Sequence, residues 1–94
     1  MIYESTRSIT SSSVQEWARR FSAREGGATW ELSWRPEPLL TREQARDAME
    51  LTELCSTGAE PGARAADLAA ELGITVQYVM AVLQRRRRER GTGS

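Results

Sequence analysis

The chain has 94 residues and a formal net charge of zero, with 13 arginines against 13 acidic residues. A chain of this length forms one domain with a modest core. Because it has no histidine and a single cysteine, it lacks the usual ligands of a zinc site and the components of a cysteine–histidine nucleophile. We therefore expect one non-enzymatic domain over residues 1–94, with no cofactor, no metal and no small-molecule substrate.

The charge is unevenly distributed along the chain. Residues 1–62 carry seven arginines and ten acidic residues, whereas residues 63–94 carry six arginines and three acidic residues. The positive C-terminal end suits a polyanion such as nucleic acid, and it equally suits self-association. No stretch approaches the roughly 18 apolar residues of a membrane span, and no apolar signal segment is present. We expect a cytoplasmic protein without a membrane partner.

The first 40 residues predict a strand, a helix and a second strand. Residues 1–13 are polar with sparse apolar positions, which fits a flexible arm or a short strand and slightly favours the strand. Apolar residues then recur at helical spacing at Val14, Trp17, Ala18 and Phe21. This spacing predicts a helix over 12–24, which Gly26-Gly27 would end.

An alternating pattern follows. Trp30, Leu32 and Trp34 alternate with polar residues, which is typical of a half-buried strand and predicts one over 28–35. The two prolines that come next would end it, because proline cannot donate a hydrogen bond to a sheet. The three tryptophans together with Phe21 offer a base-stacking platform as an alternative, but their spacing favours a place in the core.

The clearest helix start lies at Thr41. Thr41 and Gln44 form the sequence of a capping box, which predicts a helix over 41–56. Its inward face is expected to consist of Ala45, Ala48, Met49, Thr52 and Cys55. On that face Cys55 is expected to be a small buried hydrophobe and not a reactive thiol. The glycines and proline of residues 56–62 predict a loop.

The strongest pattern lies in the C-terminal third of the chain. Residues 68–75 read Leu-Ala-Ala-Glu-Leu-Gly-Ile-Thr and precede Val79, Val82 and Leu83. Ala69 is small enough for two helices to cross, Gly73 suits the positive φ that ends the first helix, and Thr75 can cap the second. From Ala65 to Gln84 the pattern resembles the helix-turn-helix of bacterial and phage DNA-binding proteins. The resemblance predicts this motif over 63–89, within a three-helix unit over 41–90.

In that family the outward side chains of the second helix enter the major groove. The resemblance makes Gln77, Ala81, Gln84 and Arg85 the candidates for reading bases. Glutamine matches the edge of adenine, alanine can contact the thymine methyl group, and arginine can grip guanine. Thr75 and Arg88 are the candidates for phosphate contacts.

An arginine run extends this candidate site. Arg85, Arg86, Arg87, Arg88 and Arg90 suit the phosphate backbone, although cations at a helix end also complement the helix dipole. Because Arg86 and Arg90 continue the inward face of the helix, we expect the helix to overhang the domain there or to fray. Residues 91–94 are expected to be a flexible tail.

A second, looser resemblance covers residues 30–49. Its W-x-x-S-W strand, proline-containing turn and A-x-x-A-M helix are similar to short uncharacterised proteins of actinobacteria and their phages. This resemblance supports a strand followed by a helix. It also supports an origin in a GC-rich genome, and such a genome accounts for the use of arginine at every basic position. It implies no activity.

These patterns predict an α+β domain that is mostly helical, with short N-terminal strands plus helices and a helix-turn-helix at the end. The favoured function is double-stranded DNA binding, as a homodimeric transcriptional regulator or a phage or mobile-element factor. The alternative is a protein–protein module, an adaptor or an antitoxin-like protein, that does not bind DNA. It would present Val76, Tyr78 and Met80 to its partner.

Overall fold

The computed structural model describes residues 1–20, 29–56 and 61–92. Within these residues the elements are β1 (Ile2–Glu4), β2 (Ser8–Ser11), β3 (Ala18–Arg20), β4 (Trp30–Leu32), β5 (Arg35–Leu40), α1 (Arg42–Ser56), α2 (Gly62–Glu71) and α3 (Val76–Thr92). The strands form one antiparallel sheet in the order β1-β2-β3-β4-β5. Each strand therefore pairs with its neighbours in the sequence, and the helices follow the sheet. For the first 13 residues the strand alternative holds, because β1 and β2 form a hairpin.

The expectation of a mostly helical domain is wrong, because the described N-terminal residues form this sheet. In particular, no helix is present among residues 1–20, where one was expected from residue 12 onwards. Ala18 instead pairs with Ile9 on one side and with Leu32 on the other, and it is fully buried. Two flanking strands satisfy its backbone groups, and this tertiary pairing outweighs the local helical spacing. Phe21 and Gly26-Gly27 lie outside the described residues.

The strand expected over 28–35 is also corrected. β4 ends at Leu32, and the chain turns through Ser33 and Trp34 into β5. Pro36 and Pro38 lie within β5 and do not end a strand. Among the described strands β5 lies at the sheet edge and pairs only with β4. Proline has no amide hydrogen to donate, and an edge strand tolerates it because only one side of the strand must hydrogen-bond to a neighbour.

The core is one cluster of buried residues from the sheet, α1, α2 and α3. The capping box is confirmed, since the Thr41 amide donates to Gln44 Oε1 over 3.0 Å and the Gln44 amide donates to Thr41 Oγ1 over 3.1 Å. The buried residues of α1 are Ala45, Ala48, Met49, Leu51 and Thr52. Trp34 packs into this core, and its indole nitrogen donates to Thr52 Oγ1 over 2.8 Å.

Cys55 lies at the margin of the core. Its side chain is half-buried, not fully buried, and packs against the core cluster. Burial raises the pKa of the Cys55 thiol above its ordinary value, which disfavours the reactive thiolate. This agrees with a packing role for Cys55.

Glu53 ties the N-terminal hairpin to α1. Its Oε2 accepts a hydrogen bond from Ser11 Oγ over 2.5 Å and contacts the Met1 ammonium. Burial alone would raise the pKa of Glu53, but the hydrogen bonds from the ammonium and from Ser11 outweigh it and lower the pKa below 4.5. Stability from the carboxylate is therefore present above about pH 4.5 and is lost as the pH falls through the lowered pKa.

We expect Glu53→Gln to reduce the acid sensitivity of the fold. Urea unfolding midpoints of the wild type should fall more steeply below pH 4.5 than those of the variant, because the variant has no carboxylate to protonate. Glu37→Gln, which removes an exposed acid on β5, is the control and should retain the wild-type slope. Equal slopes for wild type and Glu53→Gln would contradict the role assigned to this carboxylate.

The two C-terminal helices pack on α1 and on each other. Arg64 on α2 donates to Glu50 on α1 from two nitrogens, over 2.7 and 3.2 Å. In the described part of the chain, no single helix has the length and apolar character to cross a membrane. Only α2 and α3 taken together satisfy both criteria, and the pair is bent by 94°.

Candidate nucleic-acid interface

The C-terminal unit consists of two helices joined by a tight turn. The turn begins after Glu71, and Gly73 takes a φ of 73°, the left-handed conformation that favours glycine. A Cβ at this position would meet no atom within 4 Å, so the requirement for glycine is conformational. The Ile74 amide closes the turn by donating to the Ala69 carbonyl over 2.9 Å. The chain therefore leaves α2 and enters α3 at nearly a right angle.

The crossing of the helices is held by small and aliphatic side chains. Leu68 and Ala69 of α2 are each 1% exposed, and Val79 of α3 is fully buried. At the start of α3 the Tyr78 amide donates to Thr75 Oγ1 over 3.1 Å, which makes Thr75 the N-cap that its position predicted.

The five predicted groove-facing residues share the solvent side of α3. All of them are exposed: Gln77, Ala81, Gln84, Arg85 and Arg88. At 100° per residue they fall within one arc of about 100°, opposite the arc that contains the buried Val79 and Leu83. The packing of α3 on the domain therefore leaves the whole predicted reading face uncovered by the described residues.

The arginine run does not behave as one group. Arg85 and Arg87 are exposed and have no ion-pair partner among the described residues. Arg86 points inward, and its Nε donates to both carboxylate oxygens of Glu16, over 3.1 and 3.0 Å. Arg88 is also exposed, while the side chain of Arg90 lies outside the described residues.

The expected overhang of α3 at Arg86 is therefore wrong. The helix is fixed to the domain there, and we remove Arg86 from the set of phosphate-binding candidates. Residues 91–92, which were expected in a flexible tail, belong to α3. Residues 93–94 lie outside the described residues.

Glu16 is the acceptor at the centre of this contact. It is only 4% exposed, whereas the side chain of Arg86 is 31% exposed. Ser33 Oγ donates to Glu16 Oε1 over 2.7 Å and accepts from the Trp17 amide over 2.9 Å. The β2–β3 connection, the β4–β5 turn and α3 thus meet at one buried carboxylate. Among the described residues no buried side-chain nitrogen or oxygen lacks a partner.

Sequence reasoning did not find this contact. The sequence predicts a helix around Glu16 that residues 12–20 do not form, and Arg86 lies 70 positions further along the chain. The one available signal was the position of Arg86 on the inward face of α3, since a cation there requires an acidic partner or an exposed helix end.

The alternative protein-binding surface is only partly exposed. Tyr78 is 44% exposed, but Val76 and Met80 are half-buried, and Val76 packs against the core cluster. Among the described residues, the other large hydrophobic side chains that are exposed are Met1 and Tyr3. The three residues of the alternative therefore do not form the sizeable apolar patch that such a module needs.

A cleft of about 440 Å³ lies beside the base of α3. Val14 and Leu83 provide apolar walls, and Glu16 and Arg87 lie at its polar side. In the part of the chain that the structure describes, no group of three or more histidine, cysteine, aspartate or glutamate side chains is placed to hold a metal ion.

Comparisons with family models, with curated proteins and with solved structures gave no match to this chain.

Proposed function

We propose that this protein binds double-stranded DNA by inserting α3 into the major groove. The observation that carries the proposal is the exposed stripe of Gln77, Ala81, Gln84 and Arg85, opposite the buried face of α3. A helix of 17 residues is about 25 Å long, and the major groove, about 12 Å wide, admits one. α2 crosses behind α3 and holds it at a fixed angle to the domain.

In this arrangement the side chains of α3 would contact different parts of the DNA. Gln77 and Gln84 offer a donor and an acceptor to the edge of adenine, and Ala81 between them leaves room for a thymine methyl group. Arg85 can bind guanine in a bidentate manner, and Arg87 lies on the flank of the helix where a phosphate would pass. α3 carries one carboxylate, Glu89, against its arginines, so its C-terminal half is cationic.

The homodimer belongs to the same proposal. One such motif reads one half-site, and two copies would read half-sites separated by about 34 Å. Pro36 and Pro38 on the edge strand β5 disfavour strand pairing between copies through that edge. A dimer would therefore form through another surface, and sedimentation with and without a two-site duplex measures it.

The direct test is duplex binding by the wild type and by an Ala81→Glu variant. At about 50 mM salt, fluorescence anisotropy with a pool of random-sequence duplexes should show binding by the wild type. Ala81→Glu places a carboxylate in the centre of the groove face, and we expect it to weaken binding by roughly 100-fold, since unfavourable charge contacts cost several kcal/mol.

The matched control is Thr10→Glu, which adds the same charge at an exposed position on β2. It should bind duplex as the wild type does. The proposal fails if the wild type binds no duplex at this salt concentration, or if Ala81→Glu binds as tightly as Thr10→Glu.

A further inference from the structure

Two unpaired arginines lie side by side at one end of the sheet, on the side that α1 covers. Ile9 is fully buried in the core, and because side chains alternate along a strand, Arg7, two residues before it, points to the same side. The register of β2 with β3 pairs Ile9 with Ala18 and therefore places Arg7 opposite Arg20. The Arg20 amide donates to the Arg7 carbonyl over 2.9 Å, which confirms that the two residues are direct neighbours.

α1 adds two more arginines to this end of the sheet. The guanidinium carbon of Arg42 lies 5.2 Å from the centroid of the Trp30 ring, and its Nη2 donates to the Ser5 carbonyl over 2.8 Å. Trp30 is the partner of Arg20 in the register of β3 with β4, so Arg42 lies above the same row of side chains. Arg46 follows one turn further along α1. We call these four residues the arginine cluster: Arg7, Arg20, Arg42 and Arg46.

The cluster has more positive charge than the carboxylates around it neutralise. Among the described residues one acid, Glu4, forms ion pairs with it, to Arg46 over 3.1 Å and to Arg42 over 3.5 Å. The side chains of Arg7 and Arg20 are exposed and have no ion-pair partner in the described part of the chain. Four guanidinium groups therefore share one carboxylate.

Three further acids of the neighbouring elements face away or are already paired. Glu31 follows the buried Trp30 in β4 and therefore points to the opposite side of the sheet. Glu43 is exposed, and its position on α1 is opposite the buried face of that helix. Glu50 accepts from Arg64 of α2 over 2.7 Å. The excess of positive charge at this end of the sheet is thus open to an anion from solution.

From this arrangement we infer that the arginine cluster binds a compact phosphate anion, a phosphomonoester or a pyrophosphate group, at a site separate from the face of α3. Guanidinium groups form paired hydrogen bonds with phosphate oxygens. A phosphomonoester carries a charge of about −1.5 to −2 at pH 7, which two unpaired guanidinium groups match. Arg7 and Arg20 would bind the phosphate directly, and Arg42, held between Trp30 and Ser5, would contact it from the side of α1.

The form of the cluster favours a compact anion over the backbone of a nucleic acid. A nucleic-acid backbone distributes its charge along the strand, whereas here side chains from two strands and one helix come together at one place. On this side of the sheet no ring of the described residues is exposed for a base to stack on, because Trp30 is 3% exposed and lies under Arg42. The site is therefore expected to recognise the phosphate group itself.

The cluster also lies at the other end of α1 from the C-terminal half of α3. Arg42 is in the first turn of α1, whereas Ser56, the last residue of α1, lines the same cleft as Arg87 of α3. At 1.5 Å per residue α1 is about 22 Å long. Removing arginines from one site therefore leaves the other site in place.

Isothermal titration calorimetry with inorganic pyrophosphate at about 50 mM salt tests the inference, since low salt limits screening of the exposed arginines. We expect saturable binding with a dissociation constant below about 1 mM. Adenosine diphosphate carries the same diphosphate group, and comparing the two shows whether the ligand is free phosphate or phosphate on a nucleoside. A wild type that saturates with neither anion below about 1 mM would overturn the inference.

A double variant locates the site. Arg7→Ala/Arg20→Ala should weaken pyrophosphate binding roughly tenfold or more, since each arginine contributes charge-assisted hydrogen bonds. Both side chains are exposed, so thermal unfolding without ligand should match that of the wild type. The matched control is Arg85→Ala/Arg87→Ala, which removes two exposed arginines from α3 and should retain the wild-type affinity for pyrophosphate. Equal losses in the two double variants would show attraction by net charge alone and contradict the inference.

Duplex binding separates this site from the proposed DNA-binding face. Arg7→Ala/Arg20→Ala should bind duplex DNA with wild-type affinity and salt dependence, whereas Ala81→Glu should lose duplex binding and retain pyrophosphate binding. A slope of log affinity against log salt that falls by about 1.8 in the Arg7→Ala/Arg20→Ala variant would assign both side chains to DNA phosphates, and the inference would be wrong. Because the two assays use different ligands and different variants, either site can fail while the other stands.

Discussion

Replacing Arg86 with alanine is expected to lower the free energy of unfolding by about 2–3 kcal/mol, which corresponds to a fall in Tm of roughly 10–20 °C for a domain of this size. The change leaves the Glu16 carboxylate, which is 4% exposed, without its cation. Removing one partner of a fully buried ion pair usually costs about 3–5 kcal/mol of unfolding free energy. The expected loss here is smaller, because the Arg86 side chain is 31% exposed and water screens its charge. Thermal unfolding followed by circular dichroism measures the effect.

The neighbouring arginine supplies the control. Arg87→Ala removes the same type of side chain from the same helix at an exposed position and should change Tm by no more than a few degrees. A double-mutant cycle with Glu16→Gln tests the pairing itself, because Arg86→Ala should cost much less once the carboxylate is already an amide. If Arg86→Ala and Arg87→Ala unfold at the same temperature, the Glu16–Arg86 contact does not fix α3 to the sheet.

The second large effect is expected on the salt dependence of DNA binding. Arg87→Ala should reduce the slope of log affinity against log salt by about 0.9, the value for one phosphate contact on duplex DNA, whereas Arg85→Ala should mainly lower the affinity for sites that contain guanine. Reversing both charges with Arg85→Glu and Arg87→Glu should weaken duplex binding roughly 30-fold or more at about 0.15 M salt. Anisotropy titrations at four or five salt concentrations give both quantities.

Arg64→Ala is the matched control for these slopes. Arg64 is an exposed arginine of the same helical unit, but its guanidinium is bonded to Glu50 and it lies on α2. Its removal should leave the slope unchanged. A slope that falls equally for Arg64→Ala and Arg87→Ala would show that only the net charge of the protein matters, and it would remove α3 from the proposed interface.

Local signals in the sequence were sufficient for the helical part of the fold. The capping box at Thr41 and Gln44 placed the start of α1, because a cap is a contact between residues three apart. Gly73 and Thr75 placed the turn and the start of α3 in the same way, through backbone conformation and a side-chain cap. The exposed face of α3 followed from helical periodicity once its start was known.

The sheet was decided by tertiary contacts that no local pattern contains. The apolar residues at Val14, Trp17 and Ala18 have helical spacing, yet Ala18 lies in a strand between β2 and β4. The prolines of β5 predict the end of a strand, because the sequence does not reveal which strand lies at the edge.

The sequence by itself thus determined α1, the two helices and turn of the C-terminal unit, and which side chains of α3 face outward. These features depend on residues within a few positions of each other. Only the tertiary structure decided that the N-terminal part is a sheet and that Arg86 serves the fold through Glu16, 70 positions away. A buried carboxylate must have a partner, and the folded chain, not the local sequence, determines which cation can reach it.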